Sequence, residues 1–133
     1  MATHAYCLDT DVLIELLRGT EAVVARLRTL PDDARVCITH ITAYEVLRGA
    51  FAVGDAEECQ RVMHFVAQFD FVEQTVAADR LAAEWWAHLR AHGTPLPDAD
   101  LIIAASGTSI GATLITRNRK HFSRIPGILV EFW

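Results

Sequence analysis

Lysine is almost missing from this chain: Lys120 is the only one, and the 12 basic residues stand against 17 acidic ones for a formal net charge of −5. Such a balance excludes a general nucleic-acid coat protein, whose grip on phosphates needs a basic face. Cysteine is scarce as well. Cys7, Cys37 and Cys59 are odd in number, widely spaced and set among apolar residues, which excludes a disulfide framework and fits small core residues in a reducing compartment. No long hydrophobic run occurs: the stretch from Leu101 to Ile115 is broken by Ser106, Gly107, Ser109 and Gly111 and falls short of the ~20 residues of a membrane span. No basic start precedes Asp9, so no secretory signal is expected and a cytoplasmic protein without membrane contact is predicted.

What is present is a core. With 133 residues, 52% of them hydrophobic, the chain is ordered and is expected to form one domain over 1–133. Tyr6-Cys7-Leu8 reads as a strand ending at Asp9, and Val12, Leu13, Leu16 and Leu17 then repeat at helical spacing until Gly19. The alternation continues. Glu21 to Leu30 reads as helix, Val36 to Ile38 as strand, the run carrying Ala43, Val46, Leu47 and Ala50 as helix, and Glu57 to Gln68 as another. Phe71-Val72 is a third strand, followed by a helix marked by Ala78, Leu81, Ala82, Trp85 and Leu89 that ends near Gly93. After Pro95 and Pro97 comes a helix over Leu101 to Ser106, then strands at Thr113 to Thr116 and Ile128 to Val130. Short apolar strands separated by helices predict an α/β fold with a parallel sheet of four or five strands covered on both faces. Ligands of such sheets gather at the carboxyl ends of the strands.

Acidic residues occupy those places. Asp9 follows the first strand, where it also serves as an N-cap. Thr42-Ala43-Tyr44-Glu45 has the spacing of a capping box, and Glu45 also has Arg48 within ion-pair reach. Asp98-Ala99-Asp100 follows Pro97 and opens a helix, with Asp98 the better cap. In a parallel sheet these segments meet along one edge. Carboxylates ~4 Å apart repel by about 4 kcal/mol per pair at an effective dielectric near 20, so a cluster needs protons or cations. Mg²⁺ or Mn²⁺, with oxygen ligands at ~2.1 Å, supplies that charge, lowers the pKa of a bound water and stabilises charge developing on a phosphoryl centre. Without Asp9, Asp11, Glu45, Asp98 and Asp100 the remaining charges balance, and Arg117, Arg119, Lys120 and Arg124 then form a local basic patch.

Leu8-Asp9-Thr10-Asp11-Val12-Leu13, Thr42-x-x-Glu45-x-x-x-Gly49, Pro97-Asp98-Ala99-Asp100-Leu101 and Leu114-Ile115-Thr116-Arg117-Asn118 with Phe122 together resemble the PIN-domain ribonucleases, and among them the VapC-type toxins of toxin–antitoxin pairs. The resemblance covers nearly the whole chain in order and spacing. It implies a three-layer α/β/α fold and Mg²⁺- or Mn²⁺-dependent endonuclease activity on RNA. It also implies a homodimer and inhibition by a small VapB-type antitoxin whose segment packs along an apolar groove. Carried over by position, Asp9, Glu45 and Asp100 are the metal-binding carboxylates, with Thr116 beside them. Asp98 then supports the site or caps its helix, and Asp11 stands outside the essential set. Arg117, Arg119 and Lys120 are the candidate RNA contacts. Two positions depart from the pattern: many relatives carry a further acid where this chain has Asn118, and often another where it has His121.

Other patterns fail on context. Gly107-Thr108-Ser109-Ile110-Gly111 matches a nucleophile elbow, but a helix precedes it and a strand follows, and no Asp lies after Ser109. His88 and His92 have zinc spacing but lack a third ligand and read as surface. Trp85 and Trp86 cannot both enter one core from adjacent helical positions. Asp9-Thr10-Asp11-Val12 also looks like the first motif of haloacid-dehalogenase-type phosphatases, but Lys120 follows the later acidic pair, where that family has its lysine earlier, and Glu45 is left without a role. A binding scaffold that has lost catalysis is a third reading, supported only by Asn118.

Overall fold

The computed structural model of the protein describes residues 4–133. Five parallel strands form one sheet in the order β3-β2-β1-β4-β5: β1 Ala5–Leu8, β2 Arg35–Thr39, β3 Asp70–Val72, β4 Thr113–Thr116 and β5 Val130–Phe132. The order runs outward in both directions from β1. The chain therefore turns opposite ways after β1 and before β4, and a crevice opens at their carboxyl ends, where open α/β sheets bind ligands. Seven helices connect and cover the sheet: α1 Thr10–Arg18, α2 Glu21–Arg28, α3 His40–Val53, α4 Ala56–Val66, α5 Val76–Ala91, α6 Asp98–Ser109 and α7 Arg119–Phe122.

Strand alternation splits the core in two. Leu8, Ile38 and Ile115, at matching depth on the three central strands, join Val12, Leu13, Ala43, Val46, Val62 and Val66 from α1, α3 and α4. Leu114 points to the opposite face with Trp85 and Leu89 of α5, Leu101, Ile103 and Ala104 of α6, and Phe122 of α7. Each fully buried large side chain contributes about 1.5–3 kcal/mol, so this double packing, and not disulfides, holds the layers together. All three cysteines are buried and free. The three layers are those the sequence predicts.

Boundaries differ in instructive places. Gly19 stops α1 as predicted, in the left-handed conformation at φ 74°. The last strand is displaced: Ile128 to Val130 was the apolar run, but pairing covers Val130–Phe132, with Leu114 opposite Val130. Leu129 instead crosses the edge with its side chain exposed and its carbonyl accepting from Leu114 N. α6 begins at Asp98 and ends at Ser109, three residues beyond the apolar run on either side. The short helix α7 carries too few apolar residues to show a period. Trp85 is buried and its neighbour Trp86 is 42% exposed, as adjacent helical positions require. Among the described residues no helix is long and apolar enough to cross a membrane.

α6 lies so close over β1 that its Gly107 has no room for more. A Cβ there would stand 3.1 Å from Cys7 Cβ and 3.4 Å from its Sγ. Gly107→Val is expected to destabilise the fold by about 1–3 kcal/mol, read as a lowered urea midpoint with unchanged slope, while Gly49→Ala inside α3, where a Cβ has open space, is expected to raise the midpoint through a gain of about 0.5–1 kcal/mol.

Candidate active site

Apart from Ser106 on α6, every buried polar residue lies where a central strand ends: Asp9 and Thr116 after and at the ends of β1 and β4, Thr39 at the end of β2, and Thr42 one turn later. Asp9 is 5% exposed. It caps α1, its Oδ1 accepting from Thr10 N at 2.8 Å, while Oδ2 accepts from the Thr116 hydroxyl at 2.8 Å. Its own N–H donates to Ile115 O at 2.8 Å, which seats it at the junction of β1 and β4.

Glu45 reaches the same place from α3. The Thr10 hydroxyl donates to Glu45 Oε1 at 2.8 Å and lies 3.2 Å from the Thr42 hydroxyl, and Glu45 Oε2 faces Arg48 at 3.9 Å. The expected capping box between Thr42 and Glu45 does not form. α3 starts earlier, and Thr39, the last residue of β2, caps it by accepting from Thr42 N at 3.1 Å. Glu45 therefore sits in the second helical turn, free to face the site. Asp98 is corrected as well: it is the first residue of α6, makes no capping hydrogen bond and is exposed, lining a cleft with Gln74, Asp79 and Trp86.

Asp11 belongs to the pocket more closely than its sequence position implied. Its Oδ2 accepts from Arg117 N at 3.1 Å, and its Oδ1 is buried without a hydrogen-bond partner. Asp100, in the first turn of α6, places Oδ2 2.7 Å from His121 Nδ1. Asn118 acts through its backbone and its amide: its N–H donates to the Thr116 hydroxyl and its Oδ1 accepts from His121 N, both at 3.0 Å. His121, noted above only as a departure from the acids of relatives, is thus a site residue, and its place one turn after Asn118 was the available signal. Of the basic residues, Arg117 pairs with Glu15 at 3.4 Å, Arg119 lies 4.3 Å over the Phe132 ring, and Lys120 is exposed. His88 and His92 stack on the exposed face of α5, and Ser109 donates to Ser106 O at the end of α6, so neither decoy builds a site.

Burial pushes the Asp9 carboxyl up to about 7, and the Asp11 charge adds to it; the Thr116 and Thr10 hydrogen bonds oppose the shift, and Asp100 raises it further. Asp11 is raised too, mainly by burial, with hydrogen bonds from Arg117 and Val12 opposing. As the side chains stand, no three His, Cys, Asp or Glu among the described residues close on a single point. The donor set nevertheless fits a hard divalent cation: all-oxygen carboxylates that repel one another, one of them with a buried oxygen that nothing satisfies.

The folded protein holds the Asp9 proton more tightly than the unfolded chain does. Stability is therefore lost as pH rises from about 4 to about 7, by at most about 4 kcal/mol from this group. In chelator-treated protein the melting temperature is expected to fall between about pH 4 and 7, with Asp9→Asn flattening most of that slope. A wild-type slope matched by the variant's contradicts the strained carboxylate.

Comparison with known proteins agrees with the geometry. The PIN domain family matches residues 6–128. Ribonuclease VapC1 of Haemophilus influenzae strain R2866 is 30% identical, over 96% of this chain and 97% of its own. The tRNA(fMet)-specific endonuclease VapC of Shigella flexneri is 29% identical over the same shares. Among solved structures, VapBC-1 from nontypeable Haemophilus influenzae superposes with a TM-score of 0.86 at 28% identity, covering 97% of this chain and 98% of that one. Carboxylates gathered at the switch point of a five-stranded parallel sheet, in a chain that these proteins match almost end to end, place it in the PIN domain family, among its VapC members.

Proposed function

We propose that the chain is a metal-dependent endoribonuclease acting in the cytoplasm as the toxin of a toxin–antitoxin pair. The observation that carries the reading is the buried, mutually repelling carboxylate group at the end of β1, with one unsatisfied oxygen. Asp9, Glu45 and Asp100 are the residues to hold Mg²⁺, with Mn²⁺ as a substitute, and Asp11 Oδ1 is the oxygen available to join them. When bound, such a cation supplies a Lewis acid for the phosphoryl centre and a more acidic water. The protein's part is positional. Thr116 and Thr10 fix the carboxylate of Asp9, and Thr10 also fixes Glu45; Arg117, Arg119 and Lys120, on the adjacent loop and α7, are the candidate contacts to flanking phosphates. The phosphatase reading gains nothing: Lys120 is exposed on α7 after β4, and Glu45 is tied into the pocket through Thr10.

The antitoxin has a place to bind. An apolar groove between α1, α3 and α4 is lined by Ile14, Leu17, Val46, Ala50, Val53 and Val62, with Glu45 among its walls. A segment packed there reaches Glu45, the one site carboxylate in the groove's lining. Association of two copies of the toxin, as the family resemblance implies, completes the reading.

Purified antitoxin-free protein is expected to cut RNA in Mg²⁺ or Mn²⁺ and not in chelator. Asp9→Asn and Asp100→Asn each lower kcat/KM by at least about 100-fold without loss of fold by circular dichroism. RNA left intact by the wild type in Mn²⁺ favours the inactive scaffold. On α3, Val53 is 79% exposed, and Val53→Asp is expected to leave cleavage unchanged while weakening the antitoxin complex by about tenfold or more in a binding titration.

A further inference from the structure

Five residues form one unbroken hydrogen-bonded path between two carboxylates of the site, Asp9 and Asp100. Asp9 Oδ2 accepts from the Thr116 hydroxyl at 2.8 Å, and that oxygen accepts from Asn118 N at 3.0 Å. Asn118 Oδ1 then accepts from His121 N at 3.0 Å, and His121 Nδ1 meets Asp100 Oδ2 at 2.7 Å. An ionised carboxylate only accepts, so Nδ1 carries the hydrogen, and the neutral imidazole with its proton on that nitrogen is sufficient. Phe122, fully buried in the core beneath α7, anchors the far end of the path. Asp9 and Asp100 come from α1 and α6, two elements the sequence separates by some ninety residues, and the loop after β4 joins them.

We propose that His121 is the positioning residue for Asp100: its Nδ1–H occupies Oδ2, fixes the rotamer of the carboxylate and leaves Oδ1 for the divalent cation. The inference rests on the metal-site reading above and goes beyond it. A carboxylate that turns freely must be ordered when the ion binds, whereas one already held by a donor is not, which is why partners behind metal ligands commonly carry 10–100-fold in metal affinity. Asn118 has the same standing one step earlier. Its amide serves as a cap for His121 N and not as an oxygen donor to the ion, so the missing acid at 118 is replaced by bracing.

The test is Mn²⁺ affinity of the metal-free full chain, read by electron paramagnetic resonance of free Mn²⁺. His121→Leu, which has no donor, is expected to bind Mn²⁺ about 10–100-fold more weakly than wild type. His121→Asn, whose amide nitrogen stands where Nδ1 stood, is expected to stay within about threefold. Both should melt within a few degrees of wild type. Leu binding as well as wild type, or Asn binding as poorly as Leu, overturns the proposal. Electron spin-echo modulation from a directly bound imidazole nitrogen in the wild type also overturns it, since His121 is then itself a ligand. Wild type that binds no Mn²⁺, or Asp100→Asn that binds as wild type does, overturns the metal reading and the proposal with it.

Discussion

A carboxylate sealed into the end of the central strand governs how the rest of this structure is arranged. Burying an unpaired charge costs several kcal/mol, and the fold limits that cost by bringing donors to it: the first N–H of α1, the hydroxyl of Thr116 and the positive end of the α1 dipole. These donors do not suffice, because burial, more than the neighbouring charges of Asp11 and Asp100, raises the carboxyl that they lower. The remaining deficit is a deficit of positive charge. That is the property that makes the cluster a site and separates it from the ion pairs on the surface, such as Arg61–Glu58 and Arg80–Glu84, which are complete in themselves and weak in water.

The hydroxyls around it serve both packing and chemistry. Thr39, Thr42, Thr10 and Thr116 pass hydrogen bonds between β2, α3, α1 and β4, so the strand ends are joined by polar links where the apolar core stops. A threonine suits that boundary, since its methyl group packs against the core while its hydroxyl both donates and accepts. Thr10 shows the consequence most directly: its N–H holds Asp9 and its hydroxyl holds Glu45, one residue setting the spacing of two acids that lie 36 positions apart in the chain.

Much of this is legible in the amino-acid order, and the exceptions share a cause. Period and punctuation found all five strands and six of the helices, because each carries an apolar face that must be buried. Asp9 as cap, Glu45 and Asp100 as neighbours of one strand edge, and the division between Trp85 and Trp86 follow from spacing alone. What spacing did not reveal depends on which of two equivalent partners wins in three dimensions. Thr42 has the spacing of a cap for α3, but Thr39 takes that place because β2 ends there in extended backbone. Asp98 has the composition of a cap, but α6 already begins at its position, with Pro97 as the residue before. The last strand moved by two residues since the edge of β4, not hydrophobicity, selects what pairs with it. His121 has no apolar period or acidic charge of its own; its place one turn after Asn118 is its only mark in the sequence, and the fold brings it to Asp100.

An open acidic pocket also needs its neighbouring cations kept out. Arg117 directly follows β4, and its backbone N–H donates to Asp11, so its guanidinium starts beside the cluster. Turned inward, it would meet their need for charge as a metal ion does, and with a bidentate fork it would be hard to displace. Glu15, one turn further along α1 than Asp11, lies 3.4 Å from that guanidinium and gives it a competing partner on the rim. Glu15 is in turn oriented by the hydroxyl of Thr20 and by Arg18. The pair is exposed enough to be individually weak, and that weakness suits its position: a side chain held loosely at the rim can exchange Glu15 for an arriving phosphate, whereas one locked into the pocket cannot. The same helix that supplies Asp11 to the cluster thus holds Arg117 on Glu15, which lets a chain of net negative charge keep a cation beside its buried carboxylates without neutralising them.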